Sequence, residues 1–284
     1  MNVPLWDFYG STMVTNNFIR LTSDRQSQQG SIWNSLPCFI RNWELHVHFK
    51  VHGSGKSLFG DGFAIWYTRD RMQPGPVFGS KDFFSGLAIF MDTYSNHNGP
   101  HQHTHPYISA MVSNGTVHYD HDQDGTLTQL NGCESSFRNK DVETFIAVRY
   151  HDNTLKVSTD IEGNGEWKEC FTSTGVKLPT GYFFGISAAT GELADNHDII
   201  SVKLYELEAP ENQKDDPLDY SKILPSAQNT EPARDRVDDT KTSSFSGWKL
   251  LLLIILIIIG VGVCGMVGFV LYQNKQQHNR KRFY

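Results

Sequence analysis

The rhythm of the first two hundred residues limits the fold more than anything else in this chain. Short apolar or alternating runs are cut by turn signals, with no helical period between them. Trp43-Glu44-Leu45-His46-Val47-His48-Phe49-Lys50-Val51 alternates, so one face is predicted to be buried. Gly62–Tyr67 is continuously apolar, as a central strand is. Further strands are predicted at 86–91, 106–112, 144–150, 154–159, 182–188 and 199–207. They are separated by turns such as His151-Asp152-Asn153, Glu162-Gly163-Asn164-Gly165 and Pro179-Thr180-Gly181. Short strands at this spacing indicate an all-β sandwich or jelly roll over residues 1–208, long enough to bury a sizeable core. The net charge of −6 carries no basic stripe, which argues against nucleic acid as a partner.

A different solvent is implied further on. Residues 209–247 are rich in Glu, Asp, Lys, Pro and Ser and read as a flexible stalk, about 35 Å end to end as a coil. Leu250–Leu271 is then apolar without a charge. Roughly 22 residues at 1.5 Å each cross a ~30 Å hydrocarbon core, and Trp248 and Tyr272 flank the run as interfacial aromatics do. One transmembrane helix over 248–272 and a cytosolic tail over 273–284 are expected. The Lys and Arg bias across the span is slight, so orientation stays open. The opening Met1-Asn2-Val3-Pro4-Leu5-Trp6-Asp7 has no basic and then apolar signal-peptide pattern. A cytosolic tail-anchored protein is therefore the competing arrangement. Cys38 reads as a small buried hydrophobe and Cys264 lies in the span. Cys133 and Cys170, in turn-like surroundings, remain as a disulfide candidate among three possible pairings. Asn114-Gly115-Thr116 is a lone glycosylation sequon, predicted to sit in a hairpin turn spanning 112–117.

The chemistry concentrates where a strand changes character. Gly86–Asn96 begins as a buried strand, then presents Asp92, Tyr94 and Asn96 at spacing two. A carboxylate, a backbone carbonyl and an amide at a strand end suit a hard cation, and calcium takes six to eight such oxygens. Asp120-His121-Asp122-Gln123-Asp124-Gly125 adds carboxylates in a second turn, and the two turns are expected to meet around one ion. This is not an EF-hand: Asn131 stands where the bidentate acid belongs, and the flanks read as strands. Gly53-Ser54-Gly55-Lys56-Ser57 only imitates a phosphate loop, since Lys50 occupies the first glycine position. Gly60-Asp61-Gly62 presents an acid on tight backbone at a strand mouth. His97, His101, His103 and His105 form a polar loop that could bind zinc, though a solvated loop is the plainer reading. The paired carboxylates of a jelly-roll glucanase are absent, with Phe90 where the nucleophile would stand, and no Gly-x-Ser-x-Gly elbow occurs. No enzyme is expected.

Taken in order, Leu5–Thr12, Gly60–Tyr67, Gly86–Asn96 and Asp195-Asn196-His197-Asp198 resemble the leguminous-type (L-type) lectins of the animal secretory pathway, in their vesicular integral-membrane branch. The resemblance covers nearly the whole chain and implies a concanavalin-like sandwich. It implies calcium held by Asp92, the Tyr94 carbonyl, Asn96 and Asp124. It also implies mannose contacts from Ser27, Asp61, Asn96, His121 and the Gly191-Glu192-Leu193 loop. Glu192 departs from the family's aspartate. The family disulfide falls on Cys133 and Cys170, and relatives carry a signal sequence and a first strand ahead of Leu5-Trp6-Asp7. Arg280, Lys281 and Arg282 resemble an endoplasmic-reticulum retention signal, and Phe283 and Tyr284 an aromatic export signal.

The expected function is a calcium-dependent lectin for high-mannose N-glycans on secretory glycoproteins, serving their transport, retention or quality control. Its expected place is the endoplasmic reticulum or Golgi membrane, lectin domain lumenal, with coat proteins at the tail and related cargo-receptor lectins as possible partners. The rival is a sandwich that no longer binds sugar and regulates a related cargo receptor.

Overall fold

The computed structural model describes residues 3–96, 103–210, 218–227, 260, 262–272 and 275. They fall into two units, Met1–Arg234 and Asp235–Tyr284. The first contains β1 Trp6–Gly10, β2 Met13–Val14, β3 Ile19–Thr22, β4 Gln29–Asn34, β5 Trp43–His52, β6 Gly62–Thr68, β7 Ser85–Asp92 and β8 Tyr107–Asn114. It continues with β9 Asn131–Glu134, β10 Thr144–His151, β11 Thr154–Asp160, β12 Lys168–Ser173, β13 Val176–Lys177, β14 Phe183–Ala189, β15 Asn196–Glu206 and β16 Ser226–Ala227. A front sheet runs β1-β4-β14-β6-β7-β8-β9 and a back sheet β12-β11-β10-β5-β15-β3-β2, with β13 and β16 as a separate pair. This is the all-β sandwich expected from the sequence.

The strand rhythm explains the packing. Alternation in β5 sends Trp43, Leu45, Val47, Phe49 and Val51 inward. They meet Phe63, Ile65, Tyr67, Leu87, Ile89 and Met91 from the front sheet to form the main core. β6 and β7 are buried on both faces. Their outer face carries a second apolar cluster in which Trp33, Trp66 and Phe90 are covered by Phe78, Phe84 and Tyr119 from two long loops. Gly185 allows this: a Cβ there would lie 2.3 Å from the Trp33 ring. Continuous apolar sequence in β6 and β7 thus reflects burial on both faces, whereas alternation in β5 reflects burial on one.

The structure corrects several local expectations. Cys133 and Cys170 are bonded to each other, but both lie in strands, β9 and β12, not in turns. Asn114 is the exposed last residue of β8, and the chain then runs through a long loop to β9, so 112–117 is not a hairpin. Its side chain accepts hydrogen bonds from the Thr116 amide and hydroxyl. The flanks of 120–125 are loop, with a 3-10 turn at His121–Gln123. Within the segment 209–247, residues 218–227 add a 3-10 turn, Tyr220–Lys222, and strand β16, which pairs with β13. Cys38 is buried, as expected.

In the second unit Gly260, residues 262–272 and Lys275 are helical. Among the described residues no helix is long and apolar enough to cross a membrane. Most of the predicted span 248–272 lies outside the described residues, as do His97, His101, Arg280, Lys281, Arg282, Phe283 and Tyr284.

The disulfide ties the edge strand of the front sheet to the edge strand of the back sheet across 37 residues of sequence. Loop-closure entropy for that separation stabilises the fold by roughly 3–4 kcal/mol. The double variant Cys133→Ser, Cys170→Ser should lower the unfolding midpoint by a comparable free energy in denaturant titration.

Candidate functional site

The antiparallel registers gather the predicted residues at one end of the front sheet. β6 pairs Gly62 with Asp92, and β14 pairs Ala189 with Gly62. Asp61, Asp92 and the 190–193 loop therefore leave the sheet side by side. The Thr93 amide donates to the Asp61 carbonyl at 3.0 Å, and the Asp61 amide to the Ala189 carbonyl at 3.3 Å. Ser27, with φ +56°, donates its amide to the Gly191 carbonyl at 3.0 Å, and Gln26 Nε2 donates to the Glu192 carbonyl at 2.8 Å. The Glu192 side chain itself is exposed. Gly60 lies between Tyr94 and Leu193, since a Cβ there would stand 3.0 and 3.7 Å from their Cβ atoms.

The second acidic turn closes over this end. Asp120 caps the 3-10 turn by accepting from the Asp122 amide, and Asp124 ends it in the left-handed region. That geometry turns the Asp124 side chain inward, where Oδ1 accepts from the Asn96 amide at 2.9 Å and from Asn96 Nδ2 at 3.2 Å. Gly125, at φ +68°, lies against Tyr119; a Cβ there would enter the ring at 2.3 Å. Asp92 Oδ1 accepts from the Tyr94 amide at 3.0 Å. His121 Nε2 donates to the Pro76 carbonyl at 2.8 Å, and the ring packs beside Tyr119 and Phe78.

His105 is the addition that spacing did not single out. Its Nε2 lies 3.8 Å from an oxygen of Asp92 and 3.8 Å from one of Asp124. One ligand atom from each of the three falls within 4.8 Å of the others. The signal was the β7–β8 register: Tyr107 sits opposite Asp92, so the residues just before β8 must pass the acidic strand end.

The electrostatics define what this cluster can hold. Burial first, and then the nearby Asp124 charge, hold the Asp92 carboxyl well above the ordinary carboxylate range. Burial pushes Asp61 up to about 6 and depresses His121. With Nδ1 toward the His103 carbonyl at 3.1 Å, a neutral His105 presents Nε2 as an acceptor. Two carboxylates and an imidazole lone pair thus face one point from which like charges repel. A divalent cation fits such a donor set. Two of the three side chains, Asp92 and Asp124, are buried, so the site is enclosed.

An acceptor cluster at the mouth of a two-sheet jelly roll, ringed by loops bearing Asp61, Asn96 and His121, is the architecture of a carbohydrate-binding sandwich. The chain belongs to the legume-like lectin family, whose family description matches residues 1–214. Vesicular integral-membrane protein VIP36 from Homo sapiens is 53% identical over 288 residues, covering 100% of this chain and 80% of its own. VIP36-like protein from Mus musculus is 47% identical over 281 residues, covering 99% and 80%. The crystal structure of the VIP36 exoplasmic/lumenal domain in its Ca2+/Man2-bound form has a TM-score of 0.76 at 57% identity, over 80% of this chain and 90% of that one. That domain has also been solved in Ca2+-bound, Ca2+/Man3GlcNAc-bound and metal-free forms.

The raised Asp61 carboxyl makes a signed prediction for chelated protein. Protonated Asp61 favours the folded state, so this contribution is complete below the unfolded value near 3.8 and disappears as pH rises through about 6. Relative to Asp61→Asn, the wild type should lose on the order of 1–2 kcal/mol between pH 4 and 7, the full shift being reduced by solvent screening of a half-buried group. Buried His197, lowered to about 3, drives stability the opposite way over the same range. It is present in both proteins and cancels in their difference, measured by denaturant titration.

Proposed function

We propose that this chain is a calcium-dependent lectin for high-mannose N-glycans, and the observation that carries the reading is the convergence of Asp92, Asp124 and His105 beside Asn96 and Asp61. Asp92, the Tyr94 carbonyl, Asn96 and Asp124 would hold the ion. Calcium is oxygen-seeking, which gives the carboxylates, carbonyl and amide the leading ligand roles, with the His105 nitrogen facing the same point. Bound calcium supplies charge that relieves the repulsion between Asp92 and Asp124.

The chain's own groups then define the sugar site. The Asp61 carboxylate accepts from neighbouring sugar hydroxyls, and Asn96 hydrogen-bonds an adjacent one, its orientation set by Asp124. Ser27, His121 and the Gly191-Glu192-Leu193 backbone complete the rim. Because the Glu192 side chain is exposed while its carbonyl is held by Gln26, its departure from the family's aspartate should matter little. The calcium- and mannose-bound forms solved for VIP36 support the same ligand class here.

The wider setting follows from the same reading. Leu250–Leu271 anchors the lectin domain on the lumenal side of endoplasmic reticulum or Golgi membranes. The tail ending Arg280-Lys281-Arg282-Phe283-Tyr284 faces cytosolic coat proteins, and Asn114 is an exposed glycosylation acceptor. The role is transport, retention or quality control of mannose-bearing glycoproteins, by binding and not by catalysis.

The chain in detergent should bind immobilised high-mannose glycan with calcium and release it with chelator. Asp92→Ala and Asn96→Ala should each weaken binding by about 100-fold or more, the scale of removing one partner from a buried charged set. Glu192→Ala should stay within about twofold of wild type, as an exposed side chain does. A folded protein that binds no mannose at any calcium concentration would leave the interaction-module reading instead.

A further inference from the structure

The end of the sandwich opposite the sugar site is apolar. Pairings Trp6↔Asn34, Thr68↔Phe183 and Ser85↔Asn114 place the turns carrying Leu5, Leu36 and Phe39 at the far end of the front sheet from Asp61 and Asp92. Phe39 is 70% exposed and Leu224 69%, and Leu5, Leu36 and Leu218 are exposed by more than half. Backbone hydrogen bonds join these turns. The Ser35 amide donates to the Leu5 carbonyl at 2.8 Å, the Gly181 amide to the Cys38 carbonyl at 2.6 Å, and the Thr180 amide to the Tyr220 carbonyl at 3.1 Å. The Phe39 ring lies against Gly181. The Arg41 guanidinium stacks 3.5 Å over the Tyr220 ring, and exposed Lys222 follows.

Singly scattered surface leucines need no explanation, but large apolar side chains gathered on linked turns do. Leucine and phenylalanine tips flanked by arginine, lysine and tyrosine match the chemistry of a bilayer interface, where apolar tips enter and amphipathic groups stay at headgroup level. Resting on the membrane-anchor reading, we propose that this end docks on the lipid surface. The occupant is argued from chain length. Strand β16 ends at Ala227, and roughly 22 residues separate it from Leu250, where the uncharged apolar run begins. That many residues span at most about 75 Å when fully extended. A bilayer holding the run is therefore kept within reach of Leu218, Leu224 and Phe39, and tethering raises its effective concentration there. The sugar site, at the other end of the strands, is then turned away from the lipid.

The test uses the full chain reconstituted into phospholipid vesicles with brominated acyl chains, which quench indoles that enter the bilayer. Phe39→Trp and Leu224→Trp each add an indole to the proposed contact, and Leu58→Trp adds one on an exposed loop at the sugar-site end. The expected result is loss of most of the emission added by the first two substitutions and none of that added by the third. Flotation of each variant with the vesicles reports anchoring separately. A chain that does not float overturns the anchor and the docked end together. A chain that floats without quenching at Phe39→Trp and Leu224→Trp overturns docking alone. A blue shift without bromine quenching would place those side chains against a second copy and also overturn it.

Discussion

Two carboxylates facing each other in a buried space are the constraint on which this structure depends. Asp92 at the end of β7 and Asp124 at the end of the 3-10 turn are both buried, and the Asp124 charge adds to burial in raising the cost of ionising Asp92. Without a counter-charge the arrangement favours protonation or opening of the loops. With a divalent cation the same arrangement becomes a clamp between two segments distant in sequence. Asn96 hydrogen-bonds Asp124 through both its amide and its side chain, which ties the residues just after Asp92 to the acidic turn.

The rest of the fold supplies the frame for that clamp. Burial of β6 and β7 on both faces fixes where Asp61 and Asp92 emerge. A second set of charges, satisfied internally, holds the neighbouring loop. Arg138 pairs both oxygens of fully buried Asp195 at 2.8 and 2.7 Å, two residues beyond Leu193, and Arg20 does the same for Asp198 at 2.7 Å. His197, neutral and buried, sits 2.7 Å from the Thr22 hydroxyl. The contrast is physical. The Asp195–Asp198 segment brings its own cations and is structural, while Asp92 and Asp124 face an imidazole and require an ion.

Much of this was legible before the structure. Alternation in 43–51 and continuity in 62–67 and 86–91 named the strands correctly because side-chain period and burial are directly coupled there. Edge strands escaped: β12 is mostly exposed and polar, so Lys168–Ser173 carries no period-two signal, and Cys170 looked like a turn residue. Residues 218–227 escaped because the two-residue β16 pairing and the Arg41–Tyr220 stack leave no mark on composition. Within the site, Asp61, Asp92 and Asn96 were readable from residue type beside strand ends, and Asp124 from the acidic turn that carries it. Ser27 and Gly191–Leu193 came only through the family resemblance, since the bonds that tie these loops together are made to backbone atoms, which residue type does not encode. His105 was visible as a histidine but not as a neighbour of Asp92, because register is a tertiary property.

The most direct test of the buried-carboxylate account is calcium titration calorimetry on the full chain near pH 6, in two buffers with different ionisation heats. The raised Asp92 carboxyl means that ion entry displaces protons. The account predicts one ion per chain, heat that depends on the buffer, and loss of both signals in Asp124→Asn. Absence of calcium binding in a folded protein, or equal binding by Asp124→Asn, would contradict it.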